Sequence, residues 1–360
     1  MNRQSPDRVP VDIGGTTLTS MNKPCQDALR RFLGYTGDTI PTNSGVDERI
    51  LEWAGTDVRS VGGIVKLRGA LAKPLPNDAF IDCWGVRWEK FGHYHEITGF
   101  PLKDATVEDI KSYPWPEPVI DDAQLKAWEA EAKRLKLEGK YVVVGEHPVY
   151  GILELGCWMC GYDDFLRRLA GEPDFANAFF DRFLAIQLKV IDQYYSAIGP
   201  WIDLTTSGDD FGMQMAPMMS PRMFKKMVAP YFTERIRATK KYGSFYYWHH
   251  SCGSIAPLLD SIIECGVDIL NPIQTSAENM QPEMLKSKFG DRIAFWGAMD
   301  VQKFLPTATP DETRARAREL IETLGRNGGY IMAPAHNMQG DIPPENIAAW
   351  VDAIKASAMR

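Results

Sequence analysis

From Phe245 to the end, the chain repeats one layout: a short apolar run, a polar cluster, then a helical stretch closed by glycine. Phe245–Trp248 reads as a strand and runs into His249-His250-Ser251-Cys252-Gly253, with a helical pattern over Ile255–Asp260. Gly266 ends that unit, and Val267-Asp268-Ile269-Leu270 opens the next, followed by Asn271-Pro272. Pro282–Phe289 is helical, Gly290 stops it, Arg292–Trp296 is a strand and Gly297-Ala298-Met299-Asp300 a loop. A helix over Asp311–Leu324 and a strand over Gly329–Ala333 complete the series, ending in Pro334-Ala335-His336-Asn337. Strict alternation of this kind implies parallel βα units. Each unit leaves polar residues just past its strand.

The same reading extends upstream. Val9–Ile13, Tyr141–Gly145 and Trp201–Thr206 are strand candidates, and Pro173–Ile198 is one long amphipathic helix in which Phe175, Phe179, Phe183, Ile186 and Val190 recur every three or four residues. Residues 51–118 read as an irregular insertion, because Pro74, Pro76, Pro101, Pro114, Pro116 and Pro118 break them into short pieces. Seven strands are thus evident. An eighth is expected in the insertion or poorly formed.

Within this frame His250 and Cys252 stand at i and i+2 of a strand end, so their side chains share one side while His249 faces away. Imidazole with thiolate favours zinc over magnesium or calcium. Cys157 and Cys160 are a rival pair at i and i+3 of the helical stretch Leu153–Leu166. No second C-x-x-C completes a structural zinc site, so that pair reads as packing, as do Cys25, Cys83 and Cys265.

The segments His250-Ser251-Cys252-Gly253, Gly266 to Gln274, Phe295 to Asp300 and Ala333 to Asn337 resemble the uroporphyrinogen decarboxylase superfamily. So do Gly208-Asp209-Asp210-Phe211-Gly212, Ser220-Pro221, Pro230 and Arg8-Val9-Pro10-Val11-Asp12 upstream. The resemblance implies an α/β chain, a (β/α)8 TIM barrel forming a single domain over residues 1–360 with the 51–118 insertion inside it. The family includes metal-free decarboxylases and zinc-dependent corrinoid methyltransferases. In such barrels chemistry sits on loops at the C-terminal ends of strands. That rule gathers Asp209, Asp210 and His336 as catalytic candidates and Asp12, Asn271, Gln274, Trp296, Asp300 and Asn337 as substrate-binding ones. His250, Cys252 and His336 are the expected zinc ligands, with Glu146 as a further candidate; His336 stands where the thiol-directed methyltransferases of the family carry a cysteine. Asp209 and Asp210 have an ordinary alternative use as caps of the following helix.

The ligand set carries an electrostatic consequence. One thiolate and two neutral imidazoles leave zinc with a net charge of +1, a stronger Lewis acid than two thiolates and one imidazole would give. That favours taking a methyl group from an O-methyl substrate over delivering one to a thiol. The resemblance further implies a corrinoid as methyl acceptor, and the chain has no D-x-H-x-x-G segment to hold one, so a separate corrinoid protein is the expected partner. A decarboxylase of the founding type needs arginines after its first strand, for a substrate with eight carboxylates. Here Asp12 to Thr19 holds none, which disfavours a polyanion and leaves decarboxylation of a small acid as the alternative. Methionines near the strand ends (Met213, Met215, Met218, Met219, Met299, Met332, Met338) would make the mouth apolar if they reached it, suiting a small aromatic or neutral substrate.

Lys and Arg number 40 against 47 Asp and Glu, a net charge of −7, which argues against nucleic acid and anionic membrane as partners. No apolar run approaches a membrane span, the opening Met1–Pro6 lacks the apolar core of a signal peptide, and six cysteines are too few for a disulfide framework. A cytoplasmic location is the expectation.

Overall fold

The computed structural model describes residues 7–92 and 94–357; the opening Met1–Pro6 lies outside the described residues. Seven strands form one parallel sheet in the order β1 (Val58–Gly62), β6 (Val142–Glu146), β7 (Leu204–Thr205), β8 (Tyr246–His250), β9 (Ile269–Asn271), β10 (Ala294–Met299) and β11 (Tyr330–Pro334). The segment Val9–Ile13 closes the ring between β11 and β1. Asp12 N donates to Met332 O and Met332 N to Pro10 O, both at 2.9 Å, while on the other side Asp57 N donates to Val11 O at 2.9 Å. Side chains finish that edge, since Asp57 Oδ2 accepts from Val11 N at 2.8 Å and Thr56 Oγ1 from Ile13 N at 3.3 Å. The result is the eight-stranded α/β barrel, and the strand that the sequence left unplaced is β1, inside the insertion.

The insertion is more ordered than its prolines suggest. Beyond β1 it builds an antiparallel sheet in the order β2 (Lys73–Pro74), β3 (Phe80–Ile81), β4 (Arg87–Phe91) and β5 (Tyr94–Gly99). Pro74 sits on the short edge strand β2, where a missing N–H is tolerated. Gly92, at φ +60, supplies the left-handed residue in the link between β4 and β5. The other long-range readings hold to within a few residues: the Pro173–Ile198 and Pro282–Phe289 helices have the expected bounds, and the helix expected over Asp311–Leu324 begins one residue early, at Pro310. The stretch read as one helix over Leu153–Leu166 is two, Ile152–Cys160 and Tyr162–Gly171, because Gly161 at φ +92 leaves the helical region.

Two apolar layers hold the barrel. Inside it, Val58, Val144, Leu204, Trp248, Ile269, Ala294, Trp296, Ile331 and Ala333 fill the lumen. Trp248 and Trp296 stack there at 4.3 Å between centroids. Outside, the helices bury the other face of each strand, and Phe175, Phe179, Phe183, Ile186 and Val190 all belong to that layer. Tyr194 of the same helix donates its hydroxyl to Glu146 O at 2.6 Å and Val61 O at 3.1 Å. A Cβ on Gly62 would lie 1.9 Å from that hydroxyl oxygen, so this strand end requires glycine. Among the described residues no helix is long and apolar enough to cross a membrane.

Candidate metal centre and active-site cavity

The strand ends gather their polar residues around a cavity of about 310 Å³, lined by Glu146, His147, Glu154, Asp209, Asp210, His250 and His336 among others. A larger cavity of about 570 Å³ opens at the other end of the barrel, and Trp296 is the one predicted site residue on its walls. Barrels of this kind place chemistry at the C-terminal face. The smaller cavity is therefore the candidate site.

Ligand atoms of Asp210, His250 and Cys252 all lie within 4.8 Å of one another, with Asp210 and His250 on the cavity wall and Cys252 on a small neighbouring pocket that His336 also lines. Among the described residues this is the group of His, Cys, Asp and Glu able to hold a metal ion. Each member is fixed by its neighbours. His250 Nδ1 is paired with Asn271 Oδ1 at 2.6 Å, which leaves Nε2 free to bind, and Asn271 is itself held by donating to Trp296 O at 3.1 Å. Asp210 Oδ1 accepts from Cys252 N at 2.8 Å, leaving its other oxygen available. Gln274 Oε1 accepts from Gly253 N at 2.8 Å and steadies the turn after the cysteine. Tetrahedral zinc, with bonds of roughly 2.3 Å to sulfur and 2.0–2.1 Å to nitrogen, spaces those atoms by about 3.6 Å. Cys252 Sγ and His250 Nε2 stand 3.4 Å apart, so the donor set fits the ion. Burial, with Asp210 and Glu154 adding to it, pushes the Cys252 thiol up, so a metal must displace its proton to bind.

His336, the expected third ligand, stands beside this set and is not one of its three members. Its ring meets that of His250 edge-on at 6.2 Å between centroids and opens on the cavity. The surrounding walls, then His250, hold its pKa below the ordinary histidine value. Asp210, read from sequence as catalytic, has its carboxylate within 4.8 Å of the His250 and Cys252 donor atoms.

Asp209 and Asp210 divide their work. Asp209 is 1 % exposed and accepts from Ile152 N at 2.8 Å, Leu153 N at 3.1 Å and Glu154 N at 2.9 Å. It caps a helix, but the one before it in sequence rather than the one that follows. Burial pushes its carboxyl up to about 6, against a downward pull from Arg235. Glu146, the further metal candidate, spends its carboxylate on Thr17 N at 2.7 Å and Thr206 Oγ1 at 3.1 Å. Burial raises its pKa as well.

Several residues predicted to touch substrate are placed elsewhere. Asp12 is fully buried and accepts from Trp296 Nε1 at 3.0 Å, Thr19 Oγ1 at 2.8 Å and Gly15 N at 2.9 Å. Its burial raises the carboxyl to about 7, and neither Asp12 nor Trp296 lines the mouth. Asp300 turns back to accept from Gln302 N at 2.7 Å and Lys303 N at 2.9 Å, and Asn337 Oδ1 accepts from Ser20 N at 3.0 Å. Asn271 and Gln274 act on the metal ligands' surroundings. Among the described residues no methionine lines the cavity; Met213 and Met215 are exposed beyond it, and Met299, Met332 and Met338 are buried in the core.

Sequence reasoning missed Glu154, Tyr150 and Trp158, which line the cavity from the helix Ile152–Cys160 and the loop before it. Their signal was the i, i+4 spacing of Glu154 and Trp158. Cys157 and Cys160 on this helix are fully buried in the core. Changing both to serine is expected to leave metal content at the wild-type level and to cost a few kcal/mol at most, as buried thiols become hydroxyls. Elemental analysis checks this, and lost metal would make the pair a ligand site.

Against known proteins, the family model described as uroporphyrinogen decarboxylase (URO-D) matches residues 100–357. The uroporphyrinogen decarboxylase of Psychromonas ingrahamii is 28% identical over 101 residues, 28% of this chain and 27% of that protein. That of Magnetococcus marinus is 28% identical over 103 residues, 29% of this chain and 27% of the other. The chain thus spans about a quarter of the length of the curated relatives it matches. In fold it is similar to a methyltransferase from Methanosarcina mazei, with a TM-score of 0.64 at 15% identity, over 98% of this chain and 94% of that one. With the barrel, the strand-end motifs and a family match over most of its length, the chain belongs to the uroporphyrinogen decarboxylase family.

Proposed function

We propose that this chain is a zinc-dependent methyltransferase that takes a methyl group from a small O-methyl substrate and passes it to a corrinoid carried by a separate protein. The observation that carries the reading is the oxygen, nitrogen and sulfur donor set of Asp210, His250 and Cys252, two of which line the cavity. Zinc held there supplies Lewis acidity toward the oxygen that leaves as the methyl group is taken. Asp210 in place of His336 changes the charge count from the +1 expected from sequence to zero. A carboxylate still gives up less electron density than a second thiolate, so the set keeps more Lewis acidity than the two-cysteine arrangement of thiol-directed relatives. Asn271 orients His250, and the Asp210 contact to Cys252 N orients the thiolate. His336, whose pKa its walls and then His250 hold below the ordinary value, would exchange a proton with substrate in the cavity.

The alternative is metal-free decarboxylation of a small acid, which the family membership favours. Among the described residues no Lys or Arg lines the cavity, which speaks against an anionic substrate. Zinc-loaded protein incubated with cob(I)alamin and a panel of methyl ethers tests the choice by the loss of the Co(I) absorption. Demethylation that falls at least a hundredfold in Cys252→Ala is expected. Carbon dioxide release from a small acid by zinc-free protein, with no methyl transfer, would establish the decarboxylase instead.

A further inference from the structure

One wall of the cavity is aromatic and lies apart from the metal ligands. Tyr150 and Trp158 meet at 5.0 Å between centroids with planes inclined by 63°. Trp158 is braced from behind by Trp88 of β4 at 5.4 Å, and Trp88 Nε1 donates to Asp82 at 2.9 Å, so the insertion's small sheet holds this wall in place. Leu18, Ile64 and Val149 extend it. A wall of rings this size suits a flat ligand, and offset or edge contacts between rings add about 0.5–1.5 kcal/mol each beyond burial.

The carboxyl groups of the lining belong to Glu146, Glu154, Asp209 and Asp210, beside the imidazoles of His147, His250 and His336, and among the described residues no Lys or Arg joins them. Glu146 and Asp209 spend their oxygens on the protein, and Asp210 faces His250 and Cys252. Glu154 stands one helical turn before Trp158, and its carboxyl forms no hydrogen bond or ion pair with any described residue. Arg235 is fully buried behind the wall, where it contacts His147 Nδ1 at 3.2 Å and Val149 O at 3.4 Å, and it does not line the cavity. A ligand carboxylate brought here would lose its water with no cation to meet it. Zinc offset by Asp210 and Cys252 would not compensate.

We infer that the cavity selects an uncharged methoxyarene, its ring against Tyr150 and Trp158 and a polar substituent against Glu154, and excludes methoxyarenes bearing a carboxylate; this rests on the methyl-transfer reading above. The Glu154 carboxyl, one turn from Trp158 on the cavity wall, can hydrogen-bond a phenol hydroxyl, whereas a ligand carboxylate set beside it would add a second acid with no cation near.

The test is calorimetric titration of zinc-loaded protein with 2-methoxyphenol and 3-methoxybenzoate. The neutral ring is expected to bind at least tenfold more tightly than the anion, and Trp158→Ala to weaken it at least tenfold. Ile64 is 42% exposed, so Ile64→Lys should fold, and it is expected to raise 3-methoxybenzoate affinity about tenfold by supplying the missing cation. Equal or tighter binding of the benzoate by the wild type overturns the inference, and so does the absence of 2-methoxyphenol binding. Zinc content measured on the same samples separates the two layers of the account. Protein that holds zinc without this preference loses only the substrate class, and zinc-free protein that keeps the preference loses only the metal.

Discussion

Asp209→Ala is expected to destabilise the protein by about 3–5 kcal/mol, although Asp209 is not among the metal ligands. Three backbone N–H groups at the start of the helix Ile152–Cys160 end on its carboxylate, two of them fully buried and the third partly so. Hydrogen bonds to a charged acceptor contribute about 1.5–3 kcal/mol each, and buried donors left unpaired cost about 1–3 kcal/mol. Water entering the gap recovers part of that. The buried guanidinium of Arg235 also loses the negative charge that most directly offsets it. Gly151 belongs to the same device, since a Cβ there would lie 2.4 Å from Asp209 Oδ1. Chemical denaturation of zinc-free protein reads the effect. A loss under about 1 kcal/mol would mean that the helix start finds other partners.

The second large effect concerns affinity for zinc. Asp210→Ala is expected to weaken zinc binding at least a hundredfold, on the order of one lost protein ligand. Asn271→Ala, which removes the orienting partner of His250, should cost 10–100-fold. His336→Ala should change affinity less than tenfold while removing methyl transfer. Competition with a chromophoric chelator orders the three variants. If His336→Ala costs more than Asp210→Ala, His336 is the third ligand, and the site regains the +1 charge expected from two imidazoles.

How much of this was written in the sequence depends on range. Strand ends and helices were legible because their signals are local: apolar runs, glycine stops and the recurrence of Phe175, Phe179 and Phe183. His250 and Cys252 were legible because the period of a strand places i and i+2 together. Asp210 joins them from the neighbouring strand end, 40 residues earlier, and no local rule sets that distance. Asp209 was read as a cap of the wrong helix for the same reason. Trp296 and Asp12 pair across 284 residues, with the indole pointing down the barrel, so residues that looked like mouth groups support its floor. The antiparallel sheet of the insertion was hidden by its prolines, and with it the brace behind Trp158.

The central claim, a metal site made of Asp210, His250 and Cys252, is tested most directly by zinc K-edge absorption on purified protein with the metal content measured in parallel. The account predicts about one zinc per chain with a single sulfur neighbour near 2.3 Å and the remaining neighbours nitrogen or oxygen near 2.0–2.1 Å. Cys252→Ala should lose the sulfur contribution. Zinc with no sulfur neighbour, with two, or retained unchanged when Cys252 and His250 are both replaced by alanine would contradict it.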